Sequence, residues 1–272
     1  MRLRAVVIAL ATAVVAGLGW AFVRPVSSAP DPALAKYIVG TEKSGYVYLD
    51  PSTREMEDDD ISNPGFLWVD KGKTLWNAVD GSAGKSCAAC HGEAPSSMKG
   101  VAATYPKYDA KLGKVIDLEQ RINLERTDRM GATPYKWESQ QLLALTTYVK
   151  LQSRGMPVNV ATGGPAHKYW LEGKQYFETR RGQLNMSCEQ CHVEYADHQL
   201  RADTLSQGQT NGFPTYRLAW QAVGSVEHRF RACNLKIRAQ PAAYGSETYV
   251  ALELYVASRG EGLPIETPAV RK

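Results

Sequence analysis

The chain is poor in cysteine, with five in 272 residues. That is too few for a small fold held together by a lattice of disulfides. The count is also odd, so the thiols cannot all pair within one chain. No long basic run is present, which excludes a nucleic-acid groove built on clustered lysine and arginine. Low-complexity and collagen-like stretches are missing too, and 44% hydrophobic against 22% charged residues is an ordinary globular composition. Only one apolar run is long, from Ala5 to Val23. The next, Leu142 to Leu151, is short and interrupted by threonines, so no second membrane span is expected.

Two arginines within Met1 to Arg4 precede the long run, and Arg24-Pro25-Val26-Ser27-Ser28-Ala29 follows it. A basic start, an apolar middle and a small-residue end are the parts of a secretory signal, expected over residues 1–28 with cleavage before Ala29. An uncleaved anchor is the alternative, because 19 residues are just enough to span a bilayer. Both readings export the rest of the chain, and a periplasmic location is expected. Cleavage removes three arginines and no acid. Lys+Arg then falls from 32 to 29 against 28 acids, a net charge of +1. The apparent basicity, pI about 8.7, belongs largely to the leader.

What the sequence does hold is a pair of matched motifs. Cys87-Ala88-Ala89-Cys90-His91 and Cys188-Glu189-Gln190-Cys191-His192 are both Cys-x-x-Cys-His, the attachment pattern of c-type haem. Two thiols at that spacing reach the two vinyl groups of one porphyrin, and the next residue, histidine, lies over the iron. A zinc site needs four ligands and each cluster offers three. A redox dithiol does not require the histidine. Two covalently attached haem c groups are therefore expected, on Cys87, Cys90 and His91 and on Cys188, Cys191 and His192. Cys233, in Arg229-Phe230-Arg231-Ala232-Cys233-Asn234, is left without a partner. It is either a small buried apolar residue or a haem ligand or nucleophile, with Arg229 and Arg231 favouring its thiolate.

The chain also repeats itself. Gly72-Lys73-x-x-Trp76 matches Gly173-Lys174-x-x-Phe177, each glycine 15 residues before its first haem cysteine and the copies 101 apart. Downstream, Ser139…Ala144-Leu145-x-x-Tyr148-Val149 matches Ser246…Ala251-Leu252-x-x-Tyr255-Val256, now 107 apart. Repetition at this length is duplication of a domain. The expected fold is mainly α: two tandem cytochrome c-type domains arising from internal duplication, over residues 65–160 and 161–272, behind an N-terminal extension over residues 29–64. Thr162-Gly163-Gly164-Pro165 reads as the linker. Glu55 to Asp60, with five acids in six positions, reads as a solvated loop. Aligning Arg121 with Arg229 sets Glu125 opposite Cys233. Met130, five residues on, is a candidate sixth ligand for the first haem and equally a packing residue. His167, His198 and His228 are further candidates that no spacing selects.

Together these features resemble the SoxA cytochromes of the bacterial thiosulfate-oxidising Sox system. The resemblance rests on Met186 to His192, on His228 to Asn234, on the closing segment to Pro264, and on Arg121-Ile122-Asn123 with Leu142 to Pro157. It implies pairing with a small SoxX-like cytochrome and oxidative joining of thiosulfate to a cysteine of a SoxYZ-like carrier protein, with two electrons leaving through haem to a downstream acceptor. It implies Cys233 as catalytic centre and sixth ligand of the second haem, and Arg229 as a substrate-binding residue. Beside that family, Glu125 stands where a cysteine is usual. A plain diheme electron carrier and a thiosulfate dehydrogenase forming tetrathionate are the alternatives.

Overall fold

Residues 31–272 are described in a computed structural model, and the expected leader 1–28 lies outside them. The described residues open with a 3-10 helix (Pro32–Tyr37), a hairpin of two-residue strands, β1 (Ile38–Val39) against β2 (Glu42–Lys43), and, after a second 3-10 turn, helix α1 (Pro51–Asp58). Asp50 caps α1, its carboxylate accepting from the Thr53 amide at 2.9 Å, with proline at the first helical position. The acidic stretch expected as a solvated loop is thus partly helical, and one of its acids points inward. Glu57 is 5% exposed and accepts from the Val270 amide at 2.8 Å and from the Arg271 guanidinium. A helix has an inner face, and an acid on that face is tolerated where a cation 214 residues away comes to meet it.

The first repeat runs through α2 (Phe66–Asn77), α3 (Cys87–His91), α4 (Ala94–Ser97), the hairpin β3 (Lys107–Asp109) and β4 (Lys114–Ile116), α5 (Leu118–Met130) and α6 (Gln140–Leu151). The second holds α7 (His167–Glu178), a π-helical turn at Gln190–Glu194, the hairpin β5 (Gln199–Leu200) and β6 (Asp203–Thr204), the hairpin β7 (Thr215–Arg217) and β8 (Ala222–Gly224), α8 (Val226–Lys236) and α9 (Glu247–Arg259). Strand β9 (Ala269–Arg271) then pairs parallel with β7. Among the described residues no helix is long and apolar enough to cross a membrane.

The duplication is legible in matching local devices. Asp117 and Ser225 cap α5 and α8 by accepting from the Gln120 amide at 2.7 Å and the His228 amide at 3.1 Å. Ser139 and Ser246 cap α6 and α9 in the same way. A Cβ on Gly72 would sit 2.2 Å from the Ala144 carbonyl, and one on Gly173 would sit 2.0 Å from the Ala251 carbonyl. Glycine at these two points lets α2 touch α6 and α7 touch α9 backbone to backbone. Each crossing closes an apolar core. Trp76, Ile116, Leu145 and Tyr148 fill the first, and Phe177, Tyr249, Leu252 and Val256 fill the second.

The copies then join through equivalent residues. The Gly155 amide donates to the Ile265 carbonyl at 2.8 Å, and the Gly262 amide donates to the Val158 carbonyl at 2.9 Å. Both pairs exchange places when 107 is added or subtracted, so the repeats meet about a local two-fold axis. Val158 and Ile265 continue into a shared core with Val160, Tyr169, Val250 and Leu254. Burial across this seam stabilises the pair of repeats in the way any packed apolar interface does.

Candidate functional site

Both motif helices begin on a serine. Ser86 Oγ accepts from the Ala89 amide at 3.1 Å, and Ser187 Oγ accepts from the Gln190 amide at 3.3 Å. This starts a helical turn at the first cysteine and sets both thiols and the histidine around it. In the second copy the backbone widens into the π-helical turn that carries Cys191 and His192. Such turns concentrate at functional positions.

His192 is held in one orientation. Its Nδ1 lies 2.8 Å from the Ser206 carbonyl and donates to it, so Nε2 is the ring nitrogen that could ligate a metal. Gly208, at φ +76°, stands against the ring, where a Cβ would come within 2.9 Å of Cγ and Nδ1. A glycine-backed imidazole with its donor side already bonded, one residue after Cys188-x-x-Cys191, fits the proximal side of a covalently held haem. Burial pushes the Cys188 thiol up to about 11, which suits a sulfur destined for a neutral thioether. Arg181, stacked 3.6 Å from the Tyr176 ring centroid, reaches the same thiol and lines an open cleft of about 660 Å³ beside it.

Cys233 faces this histidine from α8. Burial alone would raise its pKa, but the Arg229 guanidinium, the His192 ring and Lys236 outweigh it and bring the thiol down to about 7. Arg229 lies four residues earlier, on the same helical face. Arg231 does not share that face. Its guanidinium donates to the Ala242 carbonyl and sits 4.6 Å from the Tyr244 ring centroid, so the expectation that it helps activate the thiol is not met. At two residues from Cys233 the helix turns it away.

Sequence reasoning missed Arg217. It closes β7, lies 5.1 Å from the Trp220 ring centroid, and leaves its Nε buried without a hydrogen-bond partner. Burial first, and Arg229 second, lower its pKa to about 10, so the side chain is still cationic at neutral pH. It stands 16 residues before Cys233 on another element. The one available signal was its alignment with Asp109 in the first repeat.

The first site is built alike but finished differently. The His91 ring packs 5.7 Å from that of Trp76, whose Nε1 donates to the Gly92 carbonyl at 3.0 Å. The Arg126 and Asn234 carbonyls accept from the Ala132 and Ala239 amides, each at 2.9 Å, so the residues just before them, Glu125 and Cys233, are structural equivalents. Glu125 lies between Arg121 at 3.4 Å and Arg129 at 3.9 Å. Met130 is buried at the end of α5, with its carbonyl accepting from the Ala83 amide at 3.0 Å. His167 and His198 turn their Nδ1 atoms to the Thr162 and Ala196 carbonyls, whereas His228 meets the Tyr244 hydroxyl at 3.1 Å and Glu138 at 3.5 Å.

Two haem-motif helices, each set under a crossing helix pair, define a tandem c-type cytochrome. The model of the SoxA/TsdA cytochrome c domain matches residues 71–158 and again 172–265, which reproduces the 101 and 107 offsets of the repeat. The chain belongs to this family. It is 45% identical to the L-cysteine S-thiosulfotransferase subunit SoxA of Rhodovulum sulfidophilum, over 90% of this chain and 86% of that one. It is 47% identical to the subunit of the same name from Pseudaminobacter salicylatoxidans, over 84% and 80%. The crystal structure of SoxXA from P. pantotrophus aligns with a TM-score of 0.83 at 45% identity, covering 90% of this chain and 92% of that chain.

Proposed function

We propose that the chain is the catalytic subunit of a SoxXA-type complex, an L-cysteine S-thiosulfotransferase that joins thiosulfate oxidatively to a cysteine of a SoxYZ-like carrier. Its place is the periplasm, beside a SoxX-like small cytochrome. The observation that carries this reading is the Cys233 thiol, set opposite the His192 imidazole with Arg229 one helical turn away. Neither an electron carrier nor a structural subunit needs an activated thiol at that point.

Cys87, Cys90 and His91 would hold one haem c, and Cys188, Cys191 and His192 a second, with Cys233 beside His192 available to that second group. When bound, haem takes up electrons one at a time and passes them on to a downstream acceptor. The residues of the chain do the rest. Arg229 orients the thiosulfate dianion through charge-assisted hydrogen bonds to its oxygens. The Cys233 thiolate bonds to the terminal sulfur. One sulfur–sulfur bond forms and two electrons leave. A carrier thiolate then attacks that sulfur, and Cys233 departs as thiolate, an ordinary exchange with no further change of oxidation state.

The test is the mass of the carrier cysteine after incubation with thiosulfate and an electron acceptor. The wild-type chain adds one thiosulfate-derived group, while Cys233→Ala adds none and keeps its haem content. Full conjugation by Cys233→Ala overturns the role given to Cys233, and no conjugation by the wild-type chain overturns the proposed activity.

A further inference from the structure

The two repeats differ in charge at one equivalent pair of positions. Strand register makes Asp109 the counterpart of Arg217, because Asp109 pairs with Lys114 across β3–β4 just as Arg217 pairs with Ala222 across β7–β8. The helix caps make Arg121 the counterpart of Arg229, each four residues after its cap. In the first repeat Arg121 and Asp109 form a direct ion pair. In the second repeat the acid has become Arg217, so an arginine stands at both positions where the first repeat holds a neutralised pair, and Arg229 acts electrostatically on Arg217. Among the described residues neither Arg217 nor Arg229 forms a salt bridge, and Nε of Arg217 is buried with no partner. Two such charges side by side repel, and the arrangement gains stability when an anion with several acceptor oxygens lies between them.

We propose that Arg217 and Arg229 together form the binding site for the thiosulfate dianion, with Arg217 as a second substrate-positioning residue created by the loss of the acid that Asp109 preserves in the other repeat. The Trp220 indole beside Arg217 limits how far its guanidinium can swing. Arg229 and Cys233 share one helix face, so an anion held by both arginines presents its terminal sulfur toward the thiol. Oxyanions of other shape, such as sulfate and sulfite, satisfy the same donors and act as competitors.

The inference rests on the thiosulfotransferase reading, and the test separates the two. Steady-state conjugation is measured against thiosulfate concentration for the haem-loaded complex carrying Arg217→Gln or Arg217→Asp, together with the midpoint potential of its haems. Arg217→Gln should raise KM for thiosulfate by about tenfold or more, the loss expected for one charged donor. Arg217→Asp should raise it further, because it rebuilds beside Arg229 the ion pair seen at Arg121 and Asp109. The first repeat already accommodates aspartate at this position, so the fold is expected to survive. Unchanged KM in both variants overturns the inference, and so does a shifted haem potential with unchanged KM, which would assign Arg217 to a haem carboxylate. No conjugation by the wild-type complex would instead overturn the thiosulfotransferase reading, and thiosulfate affinity measured directly on the Arg217 variants would then decide the arginine pair.

Discussion

Trp137 and Tyr244 stack with ring centroids 6.2 Å apart and 10° between their planes, and they are the same position in the two repeats. The local two-fold axis therefore runs between them. The duplication is not two beads on a linker, since each repeat completes the other's surface at equivalent points. Nearby, Gln120 donates to the Gly245 carbonyl at 2.9 Å, and its counterpart His228 meets Glu138 at 3.5 Å.

The same seam encloses acids. Carboxylate oxygens of Asp117, Glu227 and Glu253 lie within 4.8 Å of one another. Burial, with their mutual repulsion, raises Glu227 to about 9 and holds Asp117 and Glu253 well above the carboxylate range, while burial raises Glu119 to about 7. These groups keep their protons in the fold and release them on unfolding, so the native state binds more protons and its stability falls as pH rises through that window. Burial depresses Lys150 and gives the opposite slope, but one lysine stands against four acids. Melting temperature should drop between about pH 6 and 9, and Glu227→Gln should flatten the curve. A wild-type curve that is flat or rising over this range would contradict the assignment.

Gly72 and Gly173 permit backbone contact at the two helix crossings, where any Cβ would meet a carbonyl oxygen at 2.2 Å or less. Gly72→Ala and Gly173→Ala should each destabilise the chain by about 1–3 kcal/mol, as overpacked sites do. Denaturant midpoints equal to wild type would show that the crossings have slack.

At the C-terminus the Arg271 guanidinium bridges Glu57 and Glu266, while Lys272 meets Asp50 at 2.7 Å in the open. Arg271→Ala strands two buried carboxylates and should cost about 3–5 kcal/mol. Lys272→Ala should leave the unfolding curve in place. Equal effects of the two substitutions would refute the distinction.

Glu125 occupies on α5 the position that Cys233 holds on α8. Glu125→Cys should therefore convert the first haem to thiolate ligation, read as a second low-spin ferric signal in electron paramagnetic resonance, with the Cys233-side signal unaltered. An unaltered spectrum would place another side chain, Met130 first, in the ligand position.

Much of this site was legible because its chemistry is local. Cys-x-x-Cys-His is contiguous, and Arg229 and Cys233 sit at a helical spacing that puts them on one face. Offsets of 101 and 107 mark the duplication and the segments that form α2, α6, α7 and α9, whereas the crossings between them are a finding of the structure. What sequence reading lost was non-local. Arg231 is nearer to Cys233 in sequence than Arg229 is, and only the turn of the helix separates their roles. Glu57 is one of five acids in a run, and only the fold brings Arg271 back to it. An isolated arginine such as Arg217 carries no pattern, and only the strand register sets it against the aspartate that the other repeat retains.

Covalent transfer through Cys233 is tested most directly by incubating the haem-loaded chain with thiosulfate and an electron acceptor, without carrier, and mapping the peptide that holds Cys233 by mass. A thiosulfate adduct on Cys233 that disappears when the carrier is added, with the same group appearing on the carrier cysteine, is the predicted result. A carrier that is fully conjugated while Cys233 stays unmodified at every time point would contradict it.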